Sequence, residues 1–442
     1  MRSLIQRSLT TTIILFACAQ MALAQATSGS VRGAVSDQNG AAIARAAVTV
    51  RHVETNAERR LTANNEGAYL ADNLPPGEYE ILVEAPGFQK HLRRVEVLTN
   101  SNATVDLTLN VGANAETVEV AGGAAQINTS DYKVDGVITR ERIEDLPLNG
   151  RSFLSLASLE PGVGVEYSPS GGPGGQNNFF RVSIGGSPQA MTRISVDGAM
   201  VNNRITGGTS QNFSQETVQE FQISSFNFDL SVGNTAVGAV NIVSRTGGNA
   251  FHGSGFFFYR DHNIAAYPAL RRPCDPVARN PRCDNPAAIP RLEDPFFARR
   301  NSGVNASGPI KKDRLFFFSN FEYTNQVGAR TVTHSNPIFF GYNHTAQQPF
   351  RGHLFNTRLD FRLNEKHNGF LRYSHDYNRN LAPGAAVTLE SGWISTRNFA
   401  YQGTLGLTSV LSPRLVNEFR YSYLFHNYKL NPPSASECTE PL

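Results

Sequence analysis

The chain has 442 residues, and its 40 Lys and Arg residues nearly balance its 37 Asp and Glu residues. This length suffices for two or three domains, and the net charge of +3 is not an excess of positive charge that would indicate a nucleic-acid partner. The 38 Gly, 28 Phe and 14 Tyr residues suit a mostly β chain with many turns.

Residues 1–24 have the pattern of a secretory signal peptide. Two arginines precede the apolar run 13–19, and small residues at the end of the segment predict cleavage between Ala24 and Gln25. A lipoprotein site at Cys18 fits less well, because a Phe two residues before it is unusual. The mature chain is therefore predicted to leave the cytoplasm. No other stretch has the roughly 18 apolar residues of a spanning helix, so any membrane span must be a β-barrel.

Residues 28–111 are predicted to form a small β-sandwich. Its β-prone runs are bounded by turn residues, such as those at 37–40 and 75–77. The predicted strands are 30–35, 47–52, 78–85, 93–98 and 104–109. About eighty residues suffice for a domain of this kind.

The motifs of this segment resemble a known family. They include Gly33-Ala34-Val35-Ser36-Asp37, Leu74-Pro75-Pro76-Gly77-Glu78-Tyr79 and Gly87-Phe88. They resemble the carboxypeptidase regulatory-like domain, a transthyretin-like sandwich without catalytic activity, so no peptidase activity is expected. That fold is grouped with carbohydrate-binding modules. Here, however, Tyr69, Tyr79 and Phe88 are expected to pack in the core or in turns rather than to form a sugar platform.

Residues 112–125 are a predicted linker with one β-prone run, which is followed by small residues. The run consists of Glu116, Thr117, Val118, Glu119 and Val120. It resembles the TonB box, the extended segment by which a TonB-type periplasmic energy-coupling protein engages outer-membrane transporters. Such a segment needs only to be an exposed strand that adds to the partner's sheet edge through main-chain hydrogen bonds. The resemblance therefore implies a TonB-type partner.

Residues 126–248 carry a series of short motifs. They are a helix predicted over 137–147 with Thr139 as a cap and Pro147 as its end, a second short helix at 153–159, paired strands around 182–186 and 194–198, and closing strands at 220–223 and 238–248. In this order the motifs resemble the plug domain of TonB-dependent receptors. With a regulatory-like sandwich in front, the pattern looks most like the Oar-like branch of that family.

Residues 249–442 are predicted to contain long strands with one apolar and one polar face. In the hairpin 353–377 the side chains alternate between the faces, because a strand has a period of two. Phe355, Thr357, Leu359, Phe361 and Leu363 face one way, and Asn356, Arg358, Asp360 and Arg362 face the other. Further strands are predicted near 251–260, 299–307, 314–324, 399–408 and 418–426, although phenylalanine runs at 256–258 and 316–318 blur the alternation.

Strands of about ten residues with these two faces are typical of outer-membrane barrels. About seven are expected here, whereas the family resemblance implies about 22. An open barrel edge would leave backbone groups facing lipid at a cost of several kcal/mol each. We therefore expect the chain to be the N-terminal part of a longer receptor, with an incomplete barrel. A secreted β-sandwich, whose strands also alternate, is the alternative.

Three cysteines remain after the signal sequence. In an oxidising compartment Cys274 and Cys283 are expected to form a disulfide across a Pro- and Arg-rich loop, which leaves Cys438 unpaired. Their spacing does not fit a C-x-x-C zinc site. No catalytic constellation, phosphate loop or dinucleotide fingerprint occurs, so neither an enzymatic activity nor a cofactor is predicted. A lone residue such as His252 is expected to be a strand side chain.

The sequence thus predicts a mostly β protein with a transthyretin-like sandwich, an α+β plug and the first strands of a transmembrane antiparallel barrel. The predicted function is a TonB-dependent outer-membrane receptor that takes up a ligand by energy-coupled plug movement. The expected partners are a TonB-type protein, outer-membrane lipid and a ligand that is a siderophore, oligosaccharide, peptide or protein. Two alternatives are a secreted or surface adhesive protein that binds carbohydrate, and a noncoupled structural or porin-like outer-membrane protein.

Overall fold

A computed structural model describes most of the chain. The described residues are 28–99, 101–112, 118–120, 134–146, 148, 151–167, 180–188, 191–203, 207–225, 235–264, 296–332, 338, 344–383, 392–412 and 415–434. The predicted signal peptide with its cleavage site, the three remaining cysteines and residues 116 and 117 of the predicted TonB box lie outside this set. Within the described part of the chain, no helix is long and apolar enough to cross a membrane.

The N-terminal residues form a sandwich of two sheets. Its strands are β1 (Gly29–Asp37), β2 (Ala47–His52), β3 (Glu58–Thr62), β4 (Ala68–Leu74), β5 (Gly77–Glu84), β6 (His91–Val97), β7 (Asn102–Thr104), β8 (Leu107–Leu109) and β9 (Val118–Val120). One sheet has the order β4-β1-β7, with β8 also paired to β1, and the other has the order β3-β2-β5-β6-β9. A core that includes Val31, Val50 and Ile81 lies between them.

The five strands predicted for the sandwich are present, and the predicted strand 104–109 is divided into β7 and β8, which pair with different parts of β1. The strands β3 and β4 were not predicted. As expected, Tyr69 and Tyr79 are buried, and the hydroxyl of each donates to a backbone carbonyl oxygen, at 2.7 and 2.8 Å. Phe88 packs against the same core. These three aromatic side chains therefore do not form a sugar-binding platform.

Residues 134–244 form a second unit, here called the central unit. Its elements are β10 (Val134–Ile138), helix α1 (Arg140–Asp145), a 3-10 helix (Phe153–Leu159), β11 (Val163–Tyr167), β12 (Phe180–Ile184), β13 (Thr192–Val196), β14 (Ala199–Met200), a 3-10 turn (Gln215–Thr217), β15 (Val218–Ser225) and β16 (Gly238–Ser244). Five strands form a sheet in the order β10-β15-β16-β13-β14, and β11 pairs with β12. Phe153, Phe180 and Phe221 lie in its core.

The helix predicted over 137–147 is shorter than expected. Val137 and Ile138 belong to β10 and pair with β15, because β-branched side chains suit a sheet better than a helix. The helix α1 begins after Thr139, which occupies the N-cap position but makes no side-chain capping hydrogen bond. The second predicted helix is present at 153–159 as a 3-10 helix.

The remaining strands form one antiparallel sheet of seven strands in chain order. They are β17 (His252–Asp261), β18 (Ala298–Lys311), β19 (Leu315–Val332), β20 (His344–Arg362), β21 (His367–Pro383), β22 (Trp393–Ser412) and β23 (Leu415–Asn431), with a 3-10 turn, His262–Ile264, after β17. The expected number of strands is confirmed among the described residues. The strands reach 20 residues in β22. Since about 9 to 11 residues span the apolar core of a membrane, the longer strands extend beyond it.

The two faces of the seven-stranded sheet have the predicted character. On β21, Arg372, Ser374 and Asp376 are at most 2% exposed, whereas Leu371 and Tyr373 are 49% and 40% exposed. The polar side chains are buried against the central unit, and the apolar side chains point away from it. This arrangement is the reverse of a soluble sheet with a buried apolar face. It suits a sheet whose outer face meets lipid.

A positive charge on the outer face should destabilise the protein according to its depth. Tyr373 lies six residues beyond the start of β21, about 14 Å deep in a strand tilted by about 45°, which is near the membrane midplane. We expect Tyr373→Arg to lower the free energy of unfolding by about 2–4 kcal/mol. Leu363→Arg, at the exposed turn after β20, should have little effect.

Both variants are measured by urea unfolding in lipid vesicles, followed by the fluorescence of the single tryptophan, Trp393. Equal effects of the two substitutions would contradict a lipid-facing outer surface, because exposure alone does not distinguish the positions.

Candidate interface between the central unit and the seven-stranded sheet

One aspartate of the central unit holds two arginines of the seven-stranded sheet. Asp197 lies in the tight turn between β13 and β14, and it is buried. Its Oδ1 is 3.1 Å from Nη1 of Arg358 on β20, and its Oδ2 is 3.0 Å from Nε of Arg372 on β21. The contact with Arg358 has hydrogen-bond geometry, whereas the contact with Arg372 is an ion pair without it. Asp197 thus ties the central unit to two neighbouring strands.

The strand register explains why an anion is needed at this point. Arg358 and Arg372 are direct partners across β20 and β21. Like charges in opposing positions destabilise a sheet, and burial strengthens their repulsion because the effective dielectric constant is low. Asp197 approaches both arginines, and Asp360 pairs with Arg358 at 2.8 Å. Two carboxylates therefore balance two guanidinium groups.

The surroundings of Asp197 favour its charged form. Burial by itself would raise the pKa of its carboxyl, but the charges of Arg358 and Arg372 outweigh burial and lower this pKa below its ordinary value. Ser244 adds two hydrogen bonds, from its backbone N–H at 2.9 Å and from its hydroxyl at 2.7 Å. Asp197 therefore remains a carboxylate between the two arginines.

The turn that carries Asp197 requires glycine at the next position. Gly198 has a φ of 78°, a conformation that L side chains rarely adopt. A Cβ at Gly198 would also lie 2.3 Å from Nη1 of Arg420 on β23. Glycine at position 198 therefore allows both the tight turn of the chain and the close approach of the backbone to a third arginine of the sheet.

A second group of charged side chains joins another part of the central unit to the seven-stranded sheet. Glu216 accepts hydrogen bonds from Arg140 at 3.0 Å and from Arg151 at 2.7 Å. Arg151 also lies 3.7 Å from Glu322 on β19, and the carboxylate of Glu322 accepts a hydrogen bond from the hydroxyl of Ser214. Burial by itself would raise the pKa of Glu216, but Arg151 and Arg140 outweigh it and lower this pKa. Charge pairs thus connect the central unit to β19 as well.

The arginines of the central unit also explain the phenylalanine runs. The guanidinium carbon of Arg151 lies 4.2 Å from the ring centroid of Phe256 and 4.7 Å from that of Phe258, within the range of cation–π contacts. Arg245, which directly follows the last strand of the central unit, lies 5.2 Å from the ring centroid of Phe318. Alternate residues of each run thus face the central unit, while Phe257 is 65% exposed on the other side. The runs follow strand alternation, with inward aromatic rings that contact arginines.

Further polar groups complete the contact. Asp376 on β21 accepts from the backbone N–H and the side-chain amide of Asn212, at 3.0 and 2.9 Å. Gln402 on β22 donates to the carbonyl oxygen of Met200 at 3.1 Å. The buried amides of Asn320 and Asn356 have no hydrogen-bond partner among the described residues. The interface is therefore polar, unlike the apolar core of a permanent assembly.

The sandwich lies at the short-turn end of the seven-stranded sheet. The backbone N–H of Thr99 donates to Glu220 on β15 at 2.9 Å. Asn56 donates to Asp313, in the turn between β18 and β19, at 3.2 Å. A cavity of about 600 Å³ lies between the sandwich, the central unit and the sheet, and Arg358 is among its lining residues. The sandwich thus contacts both of the other units.

The described part of the predicted TonB box is an extended strand that is already paired. Val118–Val120 form β9, which runs parallel to β6 with residue 118 opposite His91 and residue 120 opposite Arg93. The other predicted site residues, Ala24, Gln25, Glu116, Thr117, Cys274 and Cys283, lie outside the described residues, so the cleavage site and the disulfide stay predictions. Within the described ranges, no group of three or more His, Cys, Asp or Glu residues could hold a metal ion.

Sequence reasoning identified the parts of the Asp197 group without connecting them. It assigned Arg358 to the polar face of a strand and placed residue 197 within the paired strand around 194–198, but it gave neither residue a partner. The available signal was the hairpin register, which puts Arg358 opposite Arg372 and so demands an anion from elsewhere. No comparable signal marks Arg151 or Glu216, which lie outside any alternating strand pattern.

Removing the charge of Asp197 should destabilise the protein strongly. We expect Asp197→Asn to lower the free energy of unfolding by about 3–5 kcal/mol, because it leaves buried arginines without their anion. The exposed Asp145 in α1 offers a matched control, and Asp145→Asn should change this free energy by less than about 0.5 kcal/mol. Urea unfolding monitored at Trp393 measures both variants.

A double variant isolates the interaction itself. Asp197→Asn combined with Arg372→Gln should lose less stability than the sum of the two single variants, because contacting residues are energetically coupled. Strict additivity would contradict a direct interaction between the two side chains.

Ionisation of the buried Glu220 should destabilise the protein as the pH rises. Burial raises the pKa of Glu220 from 4.5 to about 7, and the hydrogen bond from Thr99 opposes this only in part. The folded state therefore favours the neutral acid. Its contribution to stability is complete below about pH 4.5 and is lost as the pH rises through about 7.

We expect Glu220→Gln to flatten the decline of the melting temperature in this pH range. Glu66→Gln, at an exposed position of the sandwich, should keep the profile of the parent protein. A profile that is unchanged in Glu220→Gln would show that another group causes the decline.

Two family models match the sequence. The carboxypeptidase regulatory-like domain matches residues 30–110, and the outer membrane beta barrel domain matches residues 243–340 and 336–439. The TonB-dependent transporter Oar of Myxococcus xanthus is 27% identical over 331 residues, which cover 72% of this chain and 29% of that protein. The chain therefore spans less than a third of the length of this relative.

Solved structures of outer-membrane receptors overlap with part of the chain. The outer membrane transporter YddB of Escherichia coli is 10% identical and gives a TM-score of 0.48 over 65% of this chain and 38% of its own. The siderophore receptor PirA of Acinetobacter baumannii is 17% identical and gives a TM-score of 0.40 over 68% and 45%. The assignment rests on the family models and on Oar. The chain is an outer-membrane protein in which a carboxypeptidase regulatory-like domain precedes an outer membrane beta barrel domain, and over 331 residues it is similar to the TonB-dependent transporter Oar.

Proposed function

We propose that the chain acts in a TonB-dependent outer-membrane receptor, and that its central unit is the plug that moves during uptake. The observation that carries this proposal is the polar attachment of the central unit to the seven-stranded sheet. Asp197 contacts Arg358 and Arg372, and Arg151 contacts Glu322. Polar contacts of this kind can be exchanged for contacts with water, which favours a unit that is held and yet releasable.

The connection between the sandwich and the central unit supports a mechanical role. Thirteen residues, 121–133, separate β9 from β10, the first strand of the central unit. Among the described strands, β10 lies at the edge of its sheet and pairs with β15. Once β9 has left β6, a pull on residues 116–120 would be transmitted along the chain to β10. An edge strand can separate from one neighbour while the interior pairs of the sheet remain intact.

The position of the sandwich suggests which side the pull comes from. The sandwich contacts the turn that contains Asp313, and short turns of outer-membrane barrels face the periplasm. A TonB-type periplasmic energy-coupling protein is accordingly the proposed partner, and it would bind residues 116–120 by adding them to its own sheet. The ligand is proposed only by class, as a siderophore, oligosaccharide, peptide or protein. Uptake would require no covalent chemistry from this chain.

A pair of deletions tests the coupling. A photoreactive residue at position 115 should capture the TonB-type protein of the host in energised cells. We expect deletion of residues 116–120 to abolish this capture, whereas deletion of residues 121–125, which has the same length, should leave it intact. Capture that is equal in both deletions, or absent throughout, would contradict energy coupling and favour a noncoupled, porin-like protein.

A further inference from the structure

The edge of the sandwich is already occupied by part of the segment that the proposed partner would take. β9 pairs in parallel with the first three residues of β6, His91–Arg93. Without β9, β6 would be the outer strand of its sheet in the described part of the chain. The main-chain groups along one side of residues 118–120 are therefore used within the protein.

The last strands of the sandwich direct the chain to this edge. The backbone N–H of Gln89 donates to the carbonyl oxygen of Asn110 at 2.8 Å, and that of Gly112 donates to the carbonyl oxygen of Gly87 at 3.2 Å. These contacts bring the end of the sandwich beside the start of β6. Only residues 113–117 then lie between Gly112 and β9. The pairing of β9 thus follows from the way the sandwich ends.

We propose that β6 is a resting site for Val118–Val120 of the predicted TonB box, and that β6 competes with the TonB-type protein for these three residues. This inference rests on the proposed function. The chain is held to the sandwich at residues 110–112 and again at residues 118–120. A partner strand that pairs with about five residues therefore has to displace residues 118–120 from β6. While β9 remains paired with β6, a force applied to the segment would act on the sandwich rather than on β10.

The contact is short enough to be reversible. β9 covers three of the seven residues of β6. Each backbone pair contributes little net free energy, because it replaces hydrogen bonds with water. The apparent affinity of the partner falls in proportion to the fraction of chains whose segment is free. The sandwich would thereby limit engagement of the coupling protein without preventing it.

A disulfide tests whether the resting pair exists. In the full chain with Cys274, Cys283 and Cys438 replaced by Ser, Leu92→Cys and Glu119→Cys occupy directly opposing register positions. Opposing residues of paired strands are close enough for a disulfide. We expect this pair to oxidise readily in air, whereas His91→Cys with Glu119→Cys, which lie on opposite faces of the sheet, should oxidise slowly.

A second pair covers the case in which the first variant does not fold. Arg93→Cys with Val120→Cys occupies the next register position, on the other face of the sheet. This pair should also oxidise readily. Slow oxidation of both in-register pairs, or equal rates for all three pairs, would overturn the proposal that β6 holds the segment.

The competition is measured with the purified periplasmic domain of the host's TonB-type protein. We expect this domain to bind the oxidised Leu92→Cys, Glu119→Cys receptor at least about tenfold more weakly than the reduced one, because the free fraction of the segment is then minimal. A reductant should restore binding. Equal affinity for both forms would overturn the competition and would mean that the partner adds to the other side of β9.

A synthetic peptide of residues 112–125 separates this failure from failure of the proposed function. If the peptide and the reduced receptor both bind the periplasmic domain, the proposed coupling is supported. The affinity of the oxidised receptor then tests the competition by itself. If neither binds, the proposed coupling fails, and the competition fails with it.

Discussion

Two arginines that oppose each other on neighbouring strands need an anion between them, and this constraint joins the two larger parts of the protein. Arg358 and Arg372 are brought together by the β20–β21 hairpin, and neither can move away without breaking the register. Asp197, from a turn of the central unit, contacts both at about 3 Å. The sheet therefore supplies a charged site that the central unit fills.

The same constraint accounts for the inverted arrangement of the seven-stranded sheet. A polar face is stable in a buried position only if its groups find partners. The central unit provides them through Asp197, Asn212 and Ser214, while the apolar face is left on the outside. Lipid is the environment in which that outer face is stable, in agreement with the match to the outer membrane beta barrel domain.

The three units also form one continuous path along the chain. The sandwich ends beside its own edge strand, β9 follows on that edge, and β10 begins the central unit. The central unit then contacts the sheet through charges. In the proposed function, this order would carry a pull from the region of the sandwich to the central unit, which contacts the sheet through Asp197.

The sequence by itself determined the strands of the sheet, their number and their two faces, because side-chain alternation is a local property with a period of two. Turn residues also sufficed for most of the sandwich, since Gly and Pro act on the adjacent backbone. The limits of local signals appear at Val137 and Ile138, which pair with β15 although they begin a run that was predicted as a helix. Only the tertiary structure decided that Asp197 meets Arg358, 161 residues away, and that β9 lies on β6. Both contacts depend on how separately folded units pack, and no local period or spacing encodes that packing.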